Sequence, residues 1–190
     1  MQLIFVFLHR IDTSMSEEES RPIVIHELVA VANEFCWFVE NIQRYDAGVI
    51  MEYMRKMIPL LYVKGSMLKA PENYDESFMQ RYVTEETYEI IFNDIRNKLQ
   101  QNDRFYVFNP ELKEPEERSM AECLTDIYQD LKDGLIAFTK GIEPEKVCAE
   151  FYLHEWFITR WGAQAAVLMP VLHDEFQKNT LQPQSGTEFD

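Results

Sequence analysis

PEKVCAEFYLHEWFITRWGAQAAVLMPVLHDEF, residues 144–176, is the stretch whose reading decides the fold. At about 100° per residue, Val147, Phe151, His154, Ile158, Trp161, Ala165, Leu168 and Leu172 fall on one stripe. Leu153, Trp156, Ala163, Val167 and Val171 occupy the opposite side. A helix that is apolar on nearly every side has to be enclosed by protein. The stretch therefore reads as the central helix of a helical bundle, or as a helix shared with a second subunit. Gly162 and Pro170 are its expected bend points.

The segments before it carry the same helical spacing. Ile25, Leu28, Val29, Ala32, Phe35, Cys36, Val39 and Ile42 give a first helix from about Pro22 to Ile42, with Pro22 in its first turn. Asp46 caps a second, running to Lys64, whose stripe is Ile50, Tyr53, Met54, Met57, Ile58 and Leu61. Pro59 should kink or shorten it, and Gly65 ends it. Residues 65–82, with Pro71, Asn73, Asp75 and Ser77, read as a loop. A third helix starts at Thr84, with Glu85 and Glu86 at its positive end and a Val83–Tyr88 staple. Phe105–Pro110 is apolar and reads as an extended piece tucked under the bundle. Ser119-x-x-Glu122 is a capping box opening a fourth helix, whose stripe is Met120, Leu124, Ile127, Leu131, Leu135 and Phe138. The expectation is an all-α bundle of about five main helices around an apolar C-terminal helix.

Composition agrees with one helical domain. The chain has 190 residues, 46% of them hydrophobic, with only six Gly and eight Pro. Scarce turn residues argue against a hairpin-rich β fold. Residues 16–176 read as the single domain and 177–190 as a mobile polar tail. Residues 1–15 read as an N-terminal arm or a start-site extension. Met1–Leu8 is apolar but too short for a membrane span and has no basic leader or cleavage site.

Thirty-three acidic against eighteen basic residues give a net charge of −15. Such a chain is repelled by phosphate backbones and anionic bilayers, so neither nucleic acid nor membrane is an expected partner. Cys36, Cys123 and Cys148 are odd in number and far apart, which fits small buried groups in a reducing cytoplasm rather than a disulfide framework.

Catalytic signatures are missing: no Walker or dinucleotide glycine motif, no nucleophile elbow, no H-E-x-x-H. Two constellations remain. The fourth helix carries Glu122, Asp126, Asp130 and Asp133, and carboxylates at helical spacing can hold Mg²⁺ or Mn²⁺. Asp126 and Asp130 with Glu86 and Glu89 of the third helix would make a metal-dependent hydrolase of a nucleotide or other phosphate compound. Against this, Glu122, Asp126 and Asp133 lie about 200–240° from the apolar stripe, on the solvated side, and only Asp130 flanks the core. The second constellation is Trp37, which points away from the first helix's inner face beside His26, Asn33 and Asn41. A tryptophan ringed by polar groups suits a partner surface, and Trp156 on the outer side of the last segment admits the same reading. His154, amid an apolar stripe, reads as a hydrogen-bonded core histidine.

Leu124-Thr-Asp-Ile-Tyr-Gln-Asp-Leu-Lys132, Phe157-Ile-Thr-Arg-Trp-Gly-Ala-Gln-Ala165 and Ala32-Asn-Glu-Phe-Cys36 resemble an uncharacterised bacterial family of helical proteins of about this length, catalogued as a domain of unknown function. The resemblance spans about Ser16 to Phe176 and places the start near Met15. It implies histidines around the Trp-Gly pair. Here Arg160 and Gln164 stand in those places, so no histidine-based site carries over. It implies no activity. The residues thus lead to a cytoplasmic, non-catalytic interaction or regulatory module with no cofactor, whose partner is another protein or a second copy. The metal-dependent hydrolase is the alternative.

Overall fold

The protein, described by a computed structural model over residues 17–109 and 111–181 with side chains over 23–109 and 111–178, contains six α-helices and one β-hairpin among those residues. The helices are α1 (Glu17–Glu40), α2 (Ala47–Ser66), α3 (Glu85–Leu99), α4 (Met120–Lys140), α5 (Glu143–Thr159) and α6 (Trp161–Leu181). The strands β1 (Arg104–Asn109) and β2 (Glu114–Ser119) lie between α3 and α4. The all-α class holds. No helix among the described residues is long and apolar enough to cross a membrane. The N-terminal arm expected over 1–15 lies outside the described residues. The last helix continues to Leu181, past Phe176, and the remainder of the expected tail lies outside them too.

The helix starts follow their caps. Asp46 accepts the Val49 amide at 2.9 Å, Thr84 accepts the Thr87 amide at 3.2 Å, and Ser119 accepts the Glu122 amide at 3.2 Å. At α5 the Glu145 carboxylate takes the Ile142 amide at 3.1 Å. Each cap satisfies an amide that the helix itself leaves without a partner. Pro59 does not shorten α2, which runs through it to Ser66.

The 144–176 stretch is two helices, not one. The break falls at Arg160, whose backbone (φ −138°, ψ −91°) leaves the helical region. The buried face changes side at that point. α5 buries Ala149, Leu153 and Trp156, while Ile158 is exposed. α6 buries Trp161, Ala165, Leu168 and Leu172. Apolarity on both sides of the run is therefore the sum of two one-sided helices. Trp161 is fully buried and its indole N–H donates to the Leu153 carbonyl at 3.2 Å, which fastens the start of α6 to α5.

The most enclosed helix is α4. Met120, Leu124, Ile127, Leu131 and Leu135 are buried in it, as are Thr125, Asp130 and Asp133 on its other sides. Three neighbours run antiparallel to it, as paired contacts at two levels require. Val83 and Tyr88 meet Asp133 and Asp126, so α3 descends as α4 rises. His26 and Glu40 of α1 meet Phe138 and Tyr128, and Arg160 and Gln164 meet Asp130 and Asp126. α5 packs close at Gly134, where a Cβ would lie 2.5 Å from Leu153 Cδ2. Each fully buried aliphatic side chain in this centre contributes about 1.5–3 kcal/mol.

Of the expected tucked piece Phe105–Pro110, Pro110 lies outside the described residues, and residues 105–109 differ from the expected position. β1 pairs antiparallel with β2, and only Phe105 is buried; Tyr106 and Phe108 are about two-thirds exposed (68% and 64%). Strand alternation sends successive side chains to opposite faces, so a run of apolar residues cannot all reach the bundle.

Candidate polar site between α4 and α6

Asp126, Asp130 and Asp133 are spaced i, i+4, i+7 and therefore share one face of α4. That face meets the start of α6, where Arg160, the residue just before the helix, and Gln164 in its first turn stand four residues apart. Arg160 Nη2 lies 3.0 Å from Asp130 Oδ1. The Gln164 amide donates to Asp126 Oδ2 at 3.1 Å, and Gln164 Oε1 accepts from Arg118 of β2 at 2.8 Å. Tyr88 of α3 donates its hydroxyl to Asp126 Oδ1 at 2.7 Å.

The loop before α3 completes the cluster. Arg81 Nη1 reaches Asp130 Oδ1 at 3.1 Å and Asp133 Oδ2 at 2.8 Å. The other oxygen of Asp133 accepts the amides of Tyr82 and Val83 at 2.7 and 2.8 Å. Asp133 is thus the anchor that ties the entry of α3 to α4. The Arg81 guanidinium lies over the Trp156 ring, 4.3 Å from its centroid, and Arg160 approaches the same ring at 5.8 Å.

Asp130 and Asp133 are fully buried, whereas the Arg81 and Arg160 side chains are each 40% exposed. Burial pushes the Asp130 carboxyl up to about 6, although Arg160 and Arg81 pull it down. Its Oδ2 has no hydrogen-bond partner among the described residues. Burial, reinforced by the bond to Asp126, also raises the Tyr88 hydroxyl. Burial pushes the nearby Cys123 thiol up to about 11, so it is not a nucleophile at neutral pH. Three carboxylates (Asp126, Asp130, Asp133) stand among three guanidiniums (Arg81, Arg118, Arg160), and the charges cancel locally.

This placement corrects two readings. Asp133 is not on a solvated face; α4 is enclosed on that side by the Arg81 loop, which the one-helix projection cannot include. Trp156 is not an outward partner residue: it is buried, covered by Arg81. The structure brings Asp126 and Asp130 together with Arg160, Gln164, Arg81 and Tyr88. It does not bring Glu86 and Glu89 to them. Both glutamates are exposed on α3, and Tyr88 is what α3 presents to Asp126. Among the described residues no group of three or more His, Cys, Asp or Glu is placed to hold a metal ion. His154 is half-buried, and its Nδ1 has no hydrogen-bond partner among the described residues. Trp37 and His26 are exposed on α1, Trp37 at 49%.

Sequence reading missed Arg81, Arg118, Tyr88 and a third buried carboxylate, Asp103, which accepts from the Ser119 hydroxyl and the Ala121 amide at the start of α4. The i, i+4, i+7 carboxylates were the available signal; their partners come from segments remote in sequence.

Two of the three segments that carry the family resemblance face each other here, joined by Asp130–Arg160 and Asp126–Gln164. No curated protein matches the chain. Its fold is similar to the crystal structure of protein BF1032 from Bacteroides fragilis, with a TM-score of 0.72 and 30% identity over 86% of this chain and 96% of that one. The family model described as "Domain of unknown function (DUF5063)" matches residues 19–176, most of the chain, and the protein belongs to that family.

Proposed function

We propose that this protein is a non-catalytic protein-interaction or regulatory module. The observation that carries the reading is Trp37, which leaves about half its surface uncovered on the outer face of α1, one turn from the exposed polar residues Asn33 and Glu34. Large aromatic side chains are usually covered, and an uncovered one ringed by polar residues is the composition of a binding hot spot. The hairpin, with Tyr106, Phe108 and Leu112 exposed, adds a second uncovered apolar area. The polar cluster supports the same reading, because all its carboxylate oxygens but Asp130 Oδ2 are taken by arginines, an amide, a tyrosine and backbone N–H groups. The acidic charge favours a protein partner or a second copy over nucleic acid or membrane. Three free, buried cysteines support a cytoplasmic setting.

The test compares wild type with Trp37→Ala by sedimentation velocity and by thermal unfolding. Loss of association with an unchanged unfolding midpoint is the expected result. A midpoint lowered by many degrees would make Trp37 a folding residue and overturn the reading.

A further inference from the structure

We infer that β1 is an open sheet edge to which an extended, basic segment of a partner protein adds as a third strand. This rests on the interaction reading above and names the kind of partner. Among the described residues the sheet has only two strands, so each keeps one edge without a neighbour. No backbone group of residues 104–108 is bonded outside the hairpin among those residues. The two edges are not alike. β2, with the sequence EPEERS, carries a proline and three glutamates, devices that keep an edge from pairing. β1, with the sequence RFYVFN, has no proline and a single charge, at its first residue. A strand of aromatic and β-branched residues with unpaired N–H and C=O groups is a template for strand addition.

The register shows which side chains an added strand meets. Tyr106 stands opposite Glu117, and Phe108 opposite Pro115. Alternate residues share a face, and this face is the outer one: Phe105 and Val107, on the other, pack against the core. Tyr106, Phe108 and Leu112 of the turn are the three most exposed large apolar side chains among the described residues. A neighbouring strand lies about 4.8 Å away, so its outward side chains fall beside the two rings.

Charge selects the occupant. Within residues 106–117 four glutamates are exposed and Lys113 is the single basic residue. Tyr106 and Arg104 hold Glu117 at 3.0 and 3.2 Å, and Asn109 holds Glu116 at 3.0 Å. The carboxylates of Glu111 and Glu114 have no partner among the described residues. The face of an aromatic ring attracts a cation. Arginine or lysine at every second position of the added strand therefore meets two ring faces and an acidic rim together. The hairpin of a second copy brings the same glutamates and is repelled.

The probe is a synthetic peptide alternating arginine and valine over about eight residues, a common strand length. Its counterpart carries glutamate in place of arginine. Each is titrated into the isotope-labelled full chain, and NMR reads binding and amide exchange together. The expected result is micromolar binding of the basic peptide alone, with every second amide of β1 gaining protection as its free edge is paired. Tyr106→Ser and Phe108→Ser should each weaken binding at least about tenfold. Glu111→Lys combined with Glu114→Lys should weaken it several-fold, as should added salt. That pair still decides the proposal if Phe108→Ser loosens the hairpin. No binding of the basic peptide up to about 1 mM overturns the proposal. Equal binding of the acidic peptide, or binding without protection of β1, does the same. A chain that ignores the peptide but keeps a Trp37-dependent association loses this site alone. A chain that binds the peptide while Trp37→Ala melts keeps this site and loses the Trp37 reading.

Discussion

Arg160 closes on Asp130 at 3.0 Å from the residue where the last apolar run breaks into α5 and α6. The break and the ion pair occupy the same point in the fold. By leaving the helix there, the backbone turns Trp161 into the core and keeps the guanidinium beside α4's buried carboxylate. Both α4 and α6 are thereby keyed to one register.

Asp133 should be the most costly single polar residue to remove. Asp133→Ala leaves the Tyr82 and Val83 amides without their acceptor and the Arg81 guanidinium with Asp130 alone. Breaking one partner out of a buried network costs about 3–5 kcal/mol. Urea unfolding measures it, and a loss below about 1 kcal/mol would show that water replaces the carboxylate freely.

Asp130 makes stability depend on pH with an unusual sign for a carboxyl. Its folded pKa is raised to about 6. The native state then holds the proton more tightly than the unfolded chain does. The stabilisation is fully present below the ordinary carboxylate value of about 4 and is lost as pH climbs to about 6. Relative to Asp130→Asn, which does not titrate, the wild-type urea midpoint should fall across that window. A pH-independent difference would refute it.

Gly134 is a packing glycine. A Cβ there would press on the Leu153 side chain, so Gly134→Ala should cost about 1–3 kcal/mol by overpacking. In a Leu153→Ala background, where the space has been vacated, the same change should cost almost nothing. Additive losses in the double-mutant cycle would contradict the contact.

The three cysteines are buried and free, and burial raises the thiol pKa of each. A thiol reagent at neutral pH should label none of them in the native protein and all three after unfolding. Rapid labelling of a native thiol would reveal local opening of its helix.

Metal ions should leave the unfolding midpoint unmoved. Arginines hold Asp130 Oδ1, and Tyr88 and Gln164 hold both oxygens of Asp126, which leaves Asp130 Oδ2 as a single unpartnered oxygen, too few ligands for an ion. A native-state ligand at about 100 times its dissociation constant would add roughly 2.7 kcal/mol. A rise of several degrees with Mn²⁺ or Mg²⁺, lost in Asp130→Asn, would bring the hydrolase reading back.

By itself the sequence determined what rests on local spacing and local chemistry. The 3.6-residue periodicity marked the first four helices and ran the last two together as one, the Asp46, Thr84 and Ser119 caps fixed three of the starts, and the outward direction of Trp37 followed from the stripe on its own helix. These depend on neighbours within one or two turns. Tertiary structure decided what depends on which surfaces meet. In projection, 144–176 is one helix apolar all round; only packing against α2 and α4 turns the buried face at Arg160. In projection, Asp133 lies opposite the apolar stripe; only the Arg81 loop, 52 residues earlier, encloses it and supplies its partners. The physical reason is the same in both cases. Burial and charge pairing are properties of contacts between distant segments, and a single helix's periodicity carries no term for what lies on its other side.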